Sequence, residues 1–274
     1  MQILVGADPE LFVKNPNSGE FISAHGMVPG TKYDPYKVDR GAIQVDGMAL
    51  EFNIDPAKTV DEFVRNISEV QATLRNHVPS GYTIVAEPAV VFTDAVMAAA
   101  PEEAKELGCE PDFNAYTGLA NPRPDGSTGL RTASGHVHIG WTNGADLRSV
   151  NHREDAETVV KQLDYALGLY SLLWDPDNTR RSMYGKAGAY RLKSYGVEYR
   201  VMSNRWLSDP RLVGWVFNAV QHAMSDLQSG RNYFKEFGML AHDAINNNEI
   251  DWHLKHKLGL GLITPPGLKD IKVA

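Results

Sequence analysis

The stretch Ala42-Ile43-Gln44-Val45-Asp46-Gly47-Met48-Ala49-Leu50-Glu51-Phe52-Asn53-Ile54 alternates polar and apolar side chains on both sides of an Asp-Gly pair. Period-2 alternation is the pattern of a strand with one buried face, and Asp-Gly between two such runs predicts a hairpin turning at Asp46-Gly47. Gln44 and Glu51 then share one face, with Ile43 and Val45 on the other. A second hairpin is predicted where Leu11–Lys14 and Glu20–Ser23 flank Asn15-Pro16-Asn17-Ser18-Gly19.

Further along, Thr59-Val60-Asp61-Glu62 has capping-box spacing, and Val60, Phe63, Val64, Ile67, Val70 and Leu74 follow a 3.6 period. A helix over 60–77 is expected. Others are expected from Glu154 to Trp174, from Asp209 as N-cap with Pro210 next, and in a short set over Tyr233 to His256. Strand-like segments fall near 136–142, 189–193 and 197–202. Without regular βα alternation, the order predicts an α+β fold with a largely antiparallel sheet. The 274 residues read as one domain, and the Gly-, Pro- and Asn-rich segment 101–134 reads as an irregular, lid-like loop over a site.

Composition narrows the function. Lys plus Arg number 27 against 34 Asp plus Glu, a net charge of −7, and no basic run suggests a nucleic-acid surface. No apolar run has membrane-spanning length and the first residues carry no leader, so a cytoplasmic protein without membrane contact is expected. The single cysteine, Cys109, allows neither an internal disulfide nor a thiolate metal cage; it reads as a small buried hydrophobe.

Four segments place two chemically active side chains on one strand face: Asp8 with Glu10, Glu51 with Asn53, His136 with His138, and Glu198 with Arg200. Ordinary solvated faces also alternate, but they favour Thr, Lys and Ser with single carboxylates. If the four faces converge, Asp8, Glu10, Glu51 and Glu198 crowd negative charge into one cleft, which calls for bound cations. Carboxylates with an imidazole suit Mg2+ or Mn2+ better than zinc. Arg180, Arg181, Lys186, Arg191, Lys193 and Arg200 crowd the neighbouring stretch. Guanidinium groups beside a metal are the means of clamping a polyphosphate. No Walker-type phosphate loop or GxGxxG turn is present, so a bound ATP would lie on the sheet.

These blocks together resemble the phage-type COOH–NH2 ligase family within the glutamine-synthetase-like, glutamate-cysteine ligase group. The resemblance is carried by GADPELF at 6–12, GTKYDPY at 30–36, AIQVDGMALEFNIDPA at 42–57, EPDFNAYTG at 110–118, RTASGHVHIG at 131–140 and RRSMYGKAGAYRLKSYGVEYR at 180–200. It implies a curved, mostly antiparallel sheet with a concave active face, helices on the other face, and ATP with two or three divalent ions. It implies Asp8, Glu10, Glu51, His136 and Glu198 as metal ligands. His138, Arg180, Arg181, Lys186 and Lys193 would contact ATP, and Arg191, Arg200 and Glu198 would serve catalysis. The activity implied is joining a small or peptide carboxylate to an amine through an acyl phosphate, in the cytoplasm of a phage-infected bacterium. Asp112 and Asn114 are candidate substrate contacts, and a homo-oligomer is left open. The rival readings are a guanidino-type phosphotransferase, a metal-dependent hydrolase, and a non-catalytic nucleotide- or metal-binding protein on the same fold.

Overall fold

The computed structural model describes residues 2–105, 112–122 and 128–249. Its strands are β1 (Leu4–Lys14), β2 (Phe21–Ile22), β3 (Tyr36–Val38), β4 (Gly41–Asp46), β5 (Ala49–Ile54), β6 (Thr83–Val85), β7 (Ala89–Val91), β8 (Phe113–Asn114), β9 (Leu130–Thr132), β10 (Gly135–Gly140), β11 (Ala189–Lys193) and β12 (Gly196–Tyr199). Ten of them form one sheet in the order β3-β4-β5-β1-β10-β12-β11-β8, with β2 and β6 also paired to β1. Every ladder is antiparallel. The fold is α+β, as the order of elements predicts.

Alternation explains the layering. Val5, Ala7, Leu11 and Val13 of β1 join Ile43, Leu50, Phe52, Val137, Ile139, Val197 and Tyr199 in one apolar core. Phe63, Ile67, Val70 and Leu74 of the helix Val60–His77 close that core, with Val159, Val160 and Leu163 of the helix Val150–Leu163 and Val216 and Val220 of the helix Pro210–Gln228. Polar residues of the same strands are thereby left on the opposite face. A smaller core around Phe12, Met48, Val90 and Phe92 fills one end of that face under the β7–β9 ribbon. The sheet is not strongly curled, contrary to the expected concave surface. The walls of the cleft come instead from side chains outside the sheet, among them Lys32, Met48, Met183 and Tyr184.

The capping signals act as expected. Thr59 accepts from the Glu62 amide and Asp209 from the Arg211 amide, so both helices begin at the predicted residue. The third long helix starts earlier than expected, at Val150, because Ser149 caps it by accepting from the His152 amide. Its continuation widens into a π-turn at Asp164–Gly168 before a last short segment at Leu169–Ser171. Beyond Gln228, helices span Tyr233–Phe237 and Leu240–Asn247, and the rest of the predicted set lies outside the described residues. The 42–54 hairpin is shifted by one residue: Asp46 pairs with Ala49, so the connecting pair is Gly47-Met48, with Gly47 at φ 58°. The shift moves both strands together and leaves every face unchanged. β12 stops at Tyr199, short of the predicted 202, although the Arg200 amide still donates to the Ala189 carbonyl.

The segment expected to be irregular carries a short helix at Glu102–Lys105, β8 and β9, and its residues 106–111, including Cys109, and 123–127 lie outside the described residues. Among the described residues, no helix is long and apolar enough to cross a membrane.

Candidate active site

Strand register assembles the polar face. Asp8 pairs with His136 across β1 and β10, and Glu10 pairs with Glu51 across β1 and β5. Glu51 pairs in turn with Gln44, while on the other flank His138 pairs with Glu198 and Glu198 with Arg191. Residues distant in sequence thus meet in three short rows over the middle of the sheet. Asp8, Glu10, Glu51, His136, Arg191 and Arg200 line one cleft of about 120 Å3.

The two halves of the site differ in charge balance. Glu198 is fully buried and neutralised: Arg191 Nη1 stands 3.2 Å and Lys193 Nζ 2.9 Å from its carboxylate, and Arg200 donates to it directly. Arg200 Nε also lies 3.5 Å from Asp112 Oδ2, which ties the 112–122 segment to the site. Toward β4 and β5 the balance reverses. Glu10, Asp46 and Glu51 crowd together beside Asp8, with Gln44 Nε2 donating to Glu51 at 2.8 Å and the Ser134 amide to Glu10 at 2.6 Å.

The proton affinities report this crowding. Burial, then the charge of Asp46, pushes the Glu10 carboxyl up to about 8, and burial with Asp8, Asp46 and Glu10 raises Glu51 well above the usual carboxylate range. Burial also raises Asp46. Burial works the same way on Asp8, but the charge of His138 and the proximity of His136 outweigh it and hold that carboxyl well below its usual range. Burial and the Arg200 charge push His136 down to about 4. For His138, burial is overcome by Asp8 and Glu198, and its affinity for a proton rises.

A cation suits this arrangement. Ligating atoms of Asp8, His138 and Glu198 all lie within 4.8 Å of one another. Asp8 Oδ1 and His138 Nε2 are 2.8 Å apart, yet both are buried without an aligned hydrogen-bond partner. His136 Nε2 is likewise buried and unpartnered. Carboxylate oxygens with one or two imidazoles form a donor set for Mg2+ or Mn2+.

Sequence-derived expectations for individual residues fare differently. His138, expected beside phosphates, stands with Asp8 and Glu198, whereas His136 lies 3.5 Å from Asp8 Oδ1 and 3.4 Å from Glu198 Oε1. Arg180 is buried and directs its guanidinium to the Val201 carbonyl, Ser134 Oγ and the Arg200 carbonyl. Arg181 turns to Asp175, Ser171 and Asn248. Both are buried on the short helix Thr179–Met183, bond to scaffold groups, and are absent from the cleft lining. Lys186 is exposed and outside the cleft lining. Asn114 bonds to the Ala187 carbonyl and the Tyr116 amide, a loop-shaping role.

Several site residues escape sequence reasoning. The Asp-Gly signal predicts Asp46 in the turn, whereas Asp46 pairs with Ala49 at the end of β4, where its period-2 relation to Gln44 puts it on the polar face. Tyr184 and Tyr195 sit in connections, where no periodicity operates; Tyr195 donates to or accepts from His138 Nδ1. Lys32 and Arg131 also line the cleft.

A second cavity of about 710 Å3 opens on the other side of Asp8, Gln44 and Glu51, which line both. Its walls are Leu4, Ile54, Pro56, Trp141 and Tyr195, with Asn53 and Asn143 as polar edges.

No curated protein matches the chain. Among solved structures, it is similar to a bifunctional glutathione synthetase from Pasteurella multocida, with a TM-score of 0.49 and 10% identity over 91% of this chain and 41% of that one. This chain therefore spans less than half the length of that protein. These comparisons do not support the expected glutamine-synthetase-like assignment. Residues 132–241, which hold His136, His138, Arg191, Glu198 and Arg200 but not the acids of β1 and β5, match the family described as Phage phiEco32-like COOH.NH2 ligase-type 2.

Proposed function

We propose that the protein is an ATP-dependent ligase joining a carboxylate to an amine. The observation that carries the proposal is one cleft in which crowded, cation-seeking carboxylates face a buried glutamate already balanced by Arg191, Lys193 and Arg200. Such a surface matches a ligand of mixed charge, a metal-bound triphosphate. The family match over 132–241 supports the same reading.

Asp8, His138 and Glu198, with Glu10 and Glu51 nearby, would hold Mg2+ or Mn2+, which screens phosphate charge when bound. The larger, mostly apolar cavity with its amide edges suits the nucleoside, and the junction at Asp8 and Glu51 brings the triphosphate over the acids. Arg191 and Arg200 present guanidinium N–H groups to oxygens that gain charge as the γ-phosphoryl group moves. A substrate carboxylate oxygen attacks the γ-phosphorus and the bond to the β-γ bridging oxygen breaks, giving ADP and an acyl phosphate. The amine nitrogen then attacks the carbonyl carbon, loses a proton, and inorganic phosphate leaves. Asp112, paired to Arg200, fixes the segment that flanks this cleft.

The test is phosphate release from Mg-ATP across a panel of carboxylates with and without amines, with products weighed by mass spectrometry. Phosphate release that requires a carboxylate, with an amide product, is expected. A phosphorylated guanidino compound without free phosphate, or no nucleotide consumption under any pairing, contradicts the assignment.

A further inference from the structure

The cleft holds a hydroxyl that no contact within the protein explains. Tyr184 follows the short helix Thr179–Met183 and lines the cleft, and its OH is shielded from solvent without a hydrogen-bond partner. An unsatisfied buried polar group is destabilising, so its retention points to a partner that arrives with a ligand. The chemistry around it narrows what that partner is. The Tyr184 ring covers the guanidinium carbons of Arg200 at 5.3 Å and Arg180 at 5.5 Å, and the His136 ring lies 6.2 Å away. His136 Nε2, also in the lining, likewise lacks a hydrogen-bond partner. Two fixed positive charges behind a phenol favour it as a donor, and the neighbouring imidazole nitrogen adds polar capacity on the same wall. The group that such a wall receives is an oxyanion.

Across the cleft stand Glu10 and Glu51, whose carboxyl groups offer an anion no positive partner unless cations lie between. The oxyanion therefore belongs against the Tyr184 and Arg200 wall. We propose that the Tyr184 hydroxyl donates a hydrogen bond to a carboxylate oxygen of the acceptor substrate, making Tyr184 a substrate-binding residue of the ligase. This rests on the ligase reading given above, and it adds the placement of the carboxylate and the residue that grips it. Arg180 enters only as support: its bonds to Ser134 and to the Val201 and Arg200 carbonyls hold the guanidinium under the ring.

The experiment uses the full chain with carbon-13-labelled acetate as the carboxylate probe, titrated by NMR with and without Mg2+ and the β,γ-imido analogue of ATP. Tyr184→Phe keeps the ring over both guanidinium groups and deletes only the hydroxyl. A hydrogen bond to a charged partner corresponds to an affinity loss of about tenfold to a hundredfold, so acetate should bind that much more weakly to the variant. Nucleotide-analogue affinity should be unchanged and the melting temperature equal to or above that of the wild type, because the deleted hydroxyl has no partner in the free protein; this separates a ligand contact from a structural role. Equal acetate affinity in the two proteins, or no acetate uptake by the wild type, overturns the proposal. Failure of the analogue to bind the wild type instead overturns the ligase reading, and the titrations without nucleotide still report on Tyr184. Should Tyr184→Phe not fold, carbon-labelled tyrosine in the wild type gives the second measurement. One tyrosine ring resonance adjoining the hydroxyl should move on acetate addition, and the absence of any such change refutes the contact.

Discussion

Replacing Glu198 or Glu51 by glutamine should move stability in opposite directions in the metal-free protein, though both are carboxylates of the same polar face, one fully buried and the other half-buried. Glu198 is the anionic centre of a cationic cage made by Arg191, Lys193 and Arg200. An amide in its place leaves three positive charges facing one another, and breaking a buried pair of this kind is destabilising by about 3–5 kcal/mol. The Arg191 and Lys193 side chains are 21% and 29% exposed, so water relieves part of the repulsion and the lower end applies. For a chain of this size, about 3 kcal/mol lowers the melting temperature by roughly 5–10 °C. Glu51 is the reverse case, since Asp8, Asp46 and Glu10 raise its carboxyl together with burial. An acid whose affinity for protons is raised by folding loses stability as pH climbs through its folded value. At about pH 9 the glutamine variant escapes that loss and should melt above the wild type. Differential scanning calorimetry in EDTA provides the comparison. A Glu198→Gln protein that melts with the wild type, or a Glu51→Gln protein destabilised as much as Glu198→Gln, refutes the charge partition. Adding Mg2+ with the imido analogue should stabilise the wild type and neither variant.

Asp164 sits in the π-turn, accepting from the hydroxyls of Tyr199 at 2.7 Å and Tyr116 at 2.9 Å, and burial pushes its carboxyl up to about 7 against those two bonds. Its contribution to stability should therefore fall between the ordinary carboxylate range and about pH 7 and level off above, and Asp164→Asn should flatten that portion of a urea-unfolding series; an unchanged slope contradicts the assignment. A Cβ at Gly135 would meet Trp206 Nε1 at 2.3 Å and the Ser203 carbonyl at 2.4 Å, so Gly135→Ala should be destabilising by about 1–3 kcal/mol in the same assay and shift His136. Arg200→Lys cannot span Glu198 and Asp112 with one ammonium, and a loss of about 1–3 kcal/mol is expected on urea unfolding; wild-type stability would show that the fork is dispensable.

What the sequence reveals here is parity. Alternation along β1, β5, β10 and β12 separates Asp8, Glu51, His136 and Glu198 from Val5, Phe52, Val137 and Val197, and it survives a misplaced turn because both hairpin strands slide together. Register is not contained in alternation, so the pairing of Asp8 with His136 and of Glu10 with Glu51 emerges only from the folded sheet. The arginine cluster misleads for a related reason. Charge density along the chain carries no direction, and a five-residue helix turns Arg180 and Arg181 toward backbone carbonyls while strand geometry turns Arg191 toward Glu198. The π-turn around Asp164 breaks the 3.6 period, and Tyr184 and Tyr195 occupy connections where no period exists.

The direct measurement of the central claim is anomalous diffraction from crystals of the full chain soaked with Mn2+ and the imido analogue of ATP. Manganese is expected in the cleft, ligated by Asp8 and by His138 or Glu198 at about 2.1 Å, with phosphate oxygens completing its shell. Manganese found only on surface carboxylates, with the triphosphate away from this face of the sheet, would contradict the account.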